Sequence, residues 1–173
     1  MTSEDVAASY AALVRYADDG RVTFRAKNER VAARFETQFE RHARFRFELR
    51  LSNDNESSAV EWDGGRIRAV GPMFRPQTAS TLAKAIACLT GVSFGAAYVV
   101  PQLLLGNAVG TRRLWPAHGA WTVEERRLSC ATHVLALDAG GLLSELRSRS
   151  PFGETRIKYT VLDKAFAGGV RRA

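Results

Sequence analysis

The chain is poor in the residues that build most catalytic and metal sites. Its 173 residues include two cysteines, Cys88 and Cys130, and three histidines, His42, His118 and His133. Two cysteines are too few for a disulfide framework or a zinc ribbon. Lone cysteines are more often small buried hydrophobes than bridge partners, and the sequence leaves a bridge open. The scattered histidines form no H-x-H or H-E-x-x-H motif, so we expect no metal ion and no other cofactor.

Signatures of nucleophilic and phosphate chemistry are missing as well. There is no G-x-S-x-G motif, no Walker loop and no dinucleotide-binding fingerprint. Cys130 and His133 form a C-x-x-H, but a strand would turn them to opposite faces, which favours a structural role over a Cys–His catalytic pair. His133 and Asp138, five positions apart, would also face opposite sides. We predict that the protein is not an enzyme.

Long hydrophobic runs are absent too. The longest nearly uncharged stretch, residues 91–110, is interrupted by four glycines, Pro101, Gln102 and Asn107, so it does not supply the ~20 apolar residues of a spanning helix. The chain starts with the acidic sequence MTSED rather than with a secretory leader. We expect a soluble protein, either of the periplasm or cell envelope with its leader absent from this sequence, or of the cytoplasm if the sequence is the full native chain.

Positive charge is what the chain has in excess. It carries 25 basic and 18 acidic residues, a formal charge of +7, and 21 of the basic residues are arginines. Residues 20–52 hold nine basic and four acidic residues. Alternation places the phenylalanines of this segment opposite its arginines, whereas single-strand binders need stacking rings and cations on one surface. We expect no nucleic-acid partner, and a basic face that is either solvated or in peripheral contact with anionic membranes.

The length of the chain predicts one domain over residues 1–173. Hydrophobic periodicity predicts that its first part is a helix followed by strands. Apolar residues at helical spacing predict a helix over residues 1–19 that is capped near Thr2 and ends at the Asp18-Asp19-Gly20 sequence. From residue 20 to residue 70 the period is two, which predicts an antiparallel sheet with one solvated face. Gly64-Gly65 marks a hairpin within it.

The remaining chain returns first to helical and then to strand patterns. Residues 78–106 form a predicted helical insert, capped by Thr78 or Ser80 and kinked or restarted at Pro101. Strands are predicted over residues 120–163, with Gly140-Gly141 as a turn and residues 164–173 as a tail. The fold class is α+β, with one curved antiparallel sheet of about nine to eleven strands and helices against its concave, apolar face.

Several segments resemble the LolA/LolB lipoprotein-carrier superfamily, in its branch of predicted periplasmic proteins. They are YADDGRV at 16–22, FERHARFRFE at 39–48, VEWDG at 60–64, LALDAGGLL at 135–143 and ETRIKY at 154–159. The second and third are similar to the family's "P-x-R-F-R-F-E" strand and "W-x-D-G" hairpin, and the fourth to its "L-W-I-D-x-x-T-G-L-L" hairpin. The resemblance implies a half-barrel whose mouth is plugged by helices. It also implies an apolar hollow that binds acyl chains or other lipids, or an envelope stress sensor.

The leading hypothesis is therefore a noncatalytic carrier or binding protein for a lipid, an acyl chain or a lipoprotein lipid anchor. The alternative is a sensory or protein-interaction domain that binds an apolar segment of an envelope partner. Each residue could also simply pack in a core without a cavity. The expected ligand-binding residues of the sheet are Phe24, Phe35, Phe39, Phe45, Phe47 and Trp62, and those of the helical lid are Leu82, Ile86, Leu89, Tyr98 and Leu103.

Overall fold

In the residues that the structure describes, the fold is one open, ten-stranded antiparallel sheet with short helices on its inner face. The computed structural model describes residues 3–26, 29–53, 55–74, 81–93, 95–106, 113–117, 120–124, 132–150 and 153–167. The strands are β1 Leu13–Ala26, β2 Glu29–Glu40, β3 Arg44–Leu51, β4 Ser57–Trp62, β5 Ile67–Val70, β6 Arg113–Ala117, β7 Ala120–Glu124, β8 Thr132–Leu137, β9 Leu143–Ser150 and β10 Gly153–Phe166.

The strand order is β5-β4-β3-β2-β1-β10-β9-β8-β7-β6. Neighbours in the first half follow chain order, and the last strand, β10, closes against the first, β1. The edges β5 and β6 do not pair with each other, so the barrel stays open. The predicted α+β fold, a curved half-barrel sheet with an N-terminal helix and mid-chain helices on its concave face, is confirmed.

The N-terminal helix is shorter than predicted. Helix α1 spans Ser3–Ala11, and β1 begins at Leu13, so the prediction of a helix through residue 19 is wrong. Asp18, Asp19 and Gly20 lie in the middle of β1, where each is paired with β2 on one side and β10 on the other. Two ladders of backbone hydrogen bonds outweigh the local helix-ending preference of an Asp-Asp-Gly sequence.

The mid-chain helices form a lid, defined here as residues 81–106. It contains α2 Leu82–Thr90, 3₁₀ turns at Gly91–Ser93 and Ala96–Tyr98, and α3 Val99–Leu105. The cap of α2 is Thr81, whose side chain accepts a hydrogen bond from the Lys84 amide at 3.2 Å, rather than Thr78 or Ser80, which lie outside the described residues. Pro101 is tolerated because it lies in the first turn of α3, where backbone amides have no helical acceptor.

The last third contains one strand more than predicted and a longer final strand. β6 was missing from the prediction, because it is short and contains Pro116, which is tolerated at the edge of a sheet but not in its interior. β10 continues to Phe166. Residues 164–166 therefore belong to this strand, and their assignment to the predicted tail is wrong. The predicted turns are confirmed, since Asp63 caps the amides of the Gly64-Gly65 hairpin and Asp138 those of the Gly140-Gly141 turn.

Candidate functional site

The predicted aromatic residues of the sheet share its inner face. We call Phe24, Phe35, Phe39, Phe45, Phe47 and Trp62 the aromatic face. Phe39 on β2 lies opposite Phe45 on β3, which in turn lies opposite Trp62 on β4, so three rings form a row across the strands. Phe35 and Phe47 are diagonal neighbours, since Phe35 lies opposite Leu49, and their rings stack with centroids 5.1 Å apart. Period-two alternation produces this arrangement, because residues i and i+2 point to the same side.

The lid places its predicted residues over this face. α2 packs against β3 and β4, and its residues Ile86 and Leu89 are fully buried. Tyr98 is buried too, and its hydroxyl donates a hydrogen bond to the carbonyl of Ala83 at 3.3 Å. Leu82 and Leu103 are only partly buried and lie at the margin of the core. The lid therefore offers an apolar underside with a partly exposed rim.

Ten of the eleven predicted residues come together in or against one apolar cluster. Phe24 is the exception, because it lies outside this cluster and packs against the backbone at Gly153. Eight of the eleven side chains are buried, whereas Trp62, Leu82 and Leu103 are partly exposed. The inner face is therefore filled by the lid in this structure. A ligand on this face would have to replace lid side chains.

The same inner face contains a buried polar group that was not predicted from the sequence. Tyr16 donates a hydrogen bond from its hydroxyl to Asp18 Oδ2 at 2.7 Å, and the Thr37 amide donates to Oδ1 at 3.1 Å. Burial raises the pKa of Asp18 to about 6, although these hydrogen bonds lower it in part. Asp18 is thus a carboxyl that titrates close to neutral pH inside the core.

Two further tyrosines border Asp18. The Tyr10 hydroxyl accepts a hydrogen bond from the Leu143 amide at 3.0 Å, and burial raises its pKa. The Tyr159 ring lies over Gly20, and its buried hydroxyl has no hydrogen-bond partner in the described part of the chain. Continuing the period-two pattern of Val22 backwards through Gly20, Asp18 and Tyr16 would have placed this group on the inner face. We call Tyr10, Tyr16, Asp18 and Tyr159 the tyrosine–aspartate cluster.

Two open grooves lie on the surface of the residues that the structure describes. The larger, about 960 Å³, lies where β2 begins, β1 ends, β9 ends and β10 begins. We call it the basic groove; its lining residues are Arg21, Thr23, Arg25, Arg30, Arg147, Ser148, Arg149, Glu154, Thr155, Arg156 and Lys158. The smaller, about 490 Å³, lies beside the second half of β10, and Leu143, Tyr159 and Leu162 are among its lining residues.

Within the described ranges, no three His, Cys, Asp or Glu side chains are grouped as metal ligands would be. His118 and Cys130 lie outside the described residues, and the side chain of His133 does as well, so the Cys–His alternative falls there too. Among the helices that the structure describes, none has the length and apolarity to cross a membrane.

Comparison with solved structures gives remote similarities of fold. No protein-family model matches the chain, and no curated protein does. MucB is 16% identical, with a TM-score of 0.44 and coverage of 96% of this chain and 60% of MucB. The Pseudomonas aeruginosa MucA/MucB complex gives 14% identity, a TM-score of 0.47 and coverage of 95% and 59%. This chain thus spans about three-fifths of the MucB chains.

A LolA superfamily protein, NE2245 from Nitrosomonas europaea, is also among the similar structures. It is 7% identical, with a TM-score of 0.41 and coverage of 97% of this chain and 94% of that chain. At these identities and scores, neither a ligand nor a partner can be transferred from any of these proteins.

Proposed function

We propose that the chain is a noncatalytic protein of the bacterial cell envelope that binds or carries a hydrophobic ligand. The ligand class is a lipid, an acyl chain or the lipid anchor of a lipoprotein. The observation that carries the proposal is the apolar cluster shared by the aromatic face and the lid, whose rim at Trp62, Leu82 and Leu103 is partly open to solvent.

The lid is the part of the cluster that can move away from the sheet. Its helices of nine and seven residues are joined by 3₁₀ turns, and side chains rather than a backbone ladder hold them to the sheet. The Thr155 hydroxyl donates one long hydrogen bond, 3.4 Å, from β10 to the Ser93 carbonyl of the lid. Moving the lid therefore leaves the ladders of the sheet intact and exposes its aromatic face.

The energetics suit reversible binding. Each methylene transferred from water contributes about 0.8 kcal/mol, so eight methylenes of an acyl chain gain about 6 kcal/mol. The ligand has to replace apolar contacts that the lid already makes, and only the difference appears as affinity. A carrier needs this balance, because its ligand must also leave. No polar chemistry is required for such a function.

Titration with a fluorescent fatty acid tests the proposal. We expect saturable binding by the unmodified protein and at least tenfold weaker binding by Leu82→Glu, which places a carboxylate on the partly buried rim of the lid. The matched control is Leu162→Glu, which makes the same chemical change at a side chain that is 63% exposed on β10. Circular dichroism confirms that both variants fold.

Two results would contradict binding on the inner face. One is the absence of saturable uptake by the unmodified protein. The other is an equal loss of affinity in the Leu82→Glu and Leu162→Glu variants, because that pattern would place the fatty acid outside the lid and sheet cluster.

A specific feature of β10 favours a second candidate function, the protein-interaction role. The ladder between β9 and β10 ends at the pair Lys158 and Glu145, whereas β10 continues to Phe166. In the described part of the chain, residues 159–166 pair with β1 alone, which leaves one backbone edge of β10 beside the smaller groove. An extended apolar segment of a partner could add there as a strand.

Hydrogen exchange separates this candidate from the carrier function. If a partner is retained from an envelope fraction in stoichiometric amount, its binding by strand addition should protect amides of residues 159–166 selectively. Protection of the lid instead would indicate that the partner segment occupies the inner face, and no protection in either region would exclude both modes.

A further inference from the structure

We propose that the basic groove on the outer face of the sheet is a docking surface for bilayers that contain anionic phospholipids. Seven cations and one carboxylate line this groove. By the strand register, its charged residues and Thr23 lie on the face of the sheet away from the aromatic face, whereas the buried Ser148 and Thr155 belong to the inner face. The cations are therefore separate from a ligand beneath the lid. The strand register places arginines opposite one another in and beside this groove.

The register creates opposed arginine pairs on the outer face. Arg21 lies opposite Arg34, and Asp19 is near both, at 3.6 Å and 2.8 Å. On the other side of the groove, Arg147 lies opposite Arg156, and both bond the carboxylate of Glu145. Like charges directly opposite in a sheet are destabilising, so these carboxylates offset a real cost.

The pair Arg25 and Arg30 has no such carboxylate among the residues that the structure describes. The two residues lie directly opposite each other on β1 and β2, and both are exposed. Glu154 is the cross-strand neighbour of Arg25 on β10, but it pairs with Arg149 at 2.7 Å. Among the described residues, no ion pair is formed by Arg25, Arg30 or Lys158. An external anion would supply the missing countercharge.

The chemistry of the lining favours a bilayer over the other polyanions of a cell. Among the residues that the structure describes, all eleven that line the groove are charged or carry hydroxyl groups, and none of them is aliphatic or aromatic. A protein partner would need apolar anchors at the centre of its interface, and single-stranded nucleic acid would need rings on which bases stack. A surface of lipid phosphates requires cations alone, and the groove spans four neighbouring strands, roughly 14 Å at ~4.8 Å per strand spacing.

Vesicle sedimentation tests the docking surface with the full chain. We expect binding to phosphatidylcholine vesicles that contain one-third phosphatidylglycerol, weak binding to phosphatidylcholine alone, and loss of binding at high salt. The double variant Arg25→Glu with Arg30→Glu should bind at least 20-fold more weakly, since each basic residue near an anionic surface contributes roughly fivefold. The control is Arg66→Glu with Arg68→Glu, which changes the net charge equally at exposed positions by β5 and should stay within about threefold of the unmodified protein.

Three results would overturn the inference. They are no binding of the unmodified protein to the anionic vesicles, an equal loss in both double variants, and selective capture of RNA or of an acidic protein through Arg25 and Arg30 in place of vesicles. The Leu82→Glu variant separates this surface from the proposed carrier function, because it should lose fatty acid binding and retain vesicle binding.

Discussion

Asp18 is the residue at which burial and charge conflict most. It lies on the inner face of the sheet, and tyrosine and backbone donors rather than a cation satisfy its oxygens. Burial raises its pKa to about 6, well above the value of an exposed aspartate. The folded protein therefore holds a proton on Asp18 at pH values where the unfolded chain has already lost it.

We predict that this carboxyl makes the protein less stable as the pH rises from about 4 to 6. Over that range the folded state binds more protons than the unfolded state, so the free energy of unfolding should fall by about 3 kcal/mol in total. Asp18→Asn removes the titrating group. Urea unfolding at several pH values measures the difference in unfolding free energy between the two proteins.

Comparing the variant with the unmodified protein isolates Asp18 from other carboxyls. Glu145, for example, has its pKa lowered by the neighbouring Arg156 and contributes the opposite slope at lower pH. A difference between the two proteins that stays constant from pH 4 to 7 would show that Asp18 does not titrate in this range.

The backbone conformation at Gly71 requires a glycine. It follows β5 with φ of +106°, and a Cβ built there would lie 2.5 Å from the Ser57 carbonyl oxygen. We predict that Gly71→Ala lowers the free energy of unfolding by about 2–4 kcal/mol. Gly65→Ala is the control, because its Cβ would meet no atom closer than 4.0 Å. Thermal unfolding of the two variants measures the effect, and equal midpoints would contradict the steric explanation.

At the scale of elements, the lid is the structure on which the proposed binding depends. α2 is a nine-residue helix, and helices this short are marginal without packing and caps. Its N-terminal amides are satisfied in part by the Thr81 hydroxyl oxygen. The stability of the lid can therefore be changed without touching the aromatic face.

We predict that Thr81→Ala loosens the lid. Loss of an N-cap costs about 1 kcal/mol, which corresponds to roughly fivefold faster amide exchange in α2 through local opening. Thr81→Ser keeps an accepting hydroxyl and should exchange like the unmodified protein. Faster exchange in β3 to the same extent would mean that the whole domain, rather than the lid, has been destabilised.

The sequence was most informative in segments whose hydrophobic period matches the burial of one face. Alternation identified β2, β3 and the Gly64-Gly65 hairpin, and helical spacing identified the lid, because one face of each element is buried and the other is solvated. The same signal failed at the start of β1. There, Tyr16, Asp18 and Gly20 occupy inward positions, and a buried aspartate and a glycine under a tyrosine ring do not look apolar in sequence.

Of the two candidate sites, one could be predicted from the sequence and the other could not. The aromatic face was predictable, because it requires only that alternate residues share a side. The opposed pair of Arg25 and Arg30 was not, because it depends on the register between β1 and β2 and on which carboxylates the neighbouring strands supply. The sequence indicated a basic face but could not show which cations lack a partner.

For the whole molecule, one open sheet separates a mainly apolar inner face from a basic outer face. Its inner face holds the aromatic residues, the lid and the tyrosine–aspartate cluster, and its outer face holds the cations of the basic groove. A protein that binds a lipid beneath its lid while its outer face rests on an anionic bilayer would be placed where such ligands occur. The two proposals remain separable, since they depend on opposite faces.

Native mass spectrometry of the protein purified from a bacterial host, followed by organic extraction, tests the binding of an apolar ligand most directly. We expect a species heavier than the 19.0 kDa chain by the mass of one lipid, and the same lipid in the extract. Leu82→Glu should lose this species, whereas Leu162→Glu should keep it. A spectrum of the bare chain alone, together with an extract free of lipid, would contradict a carrier function.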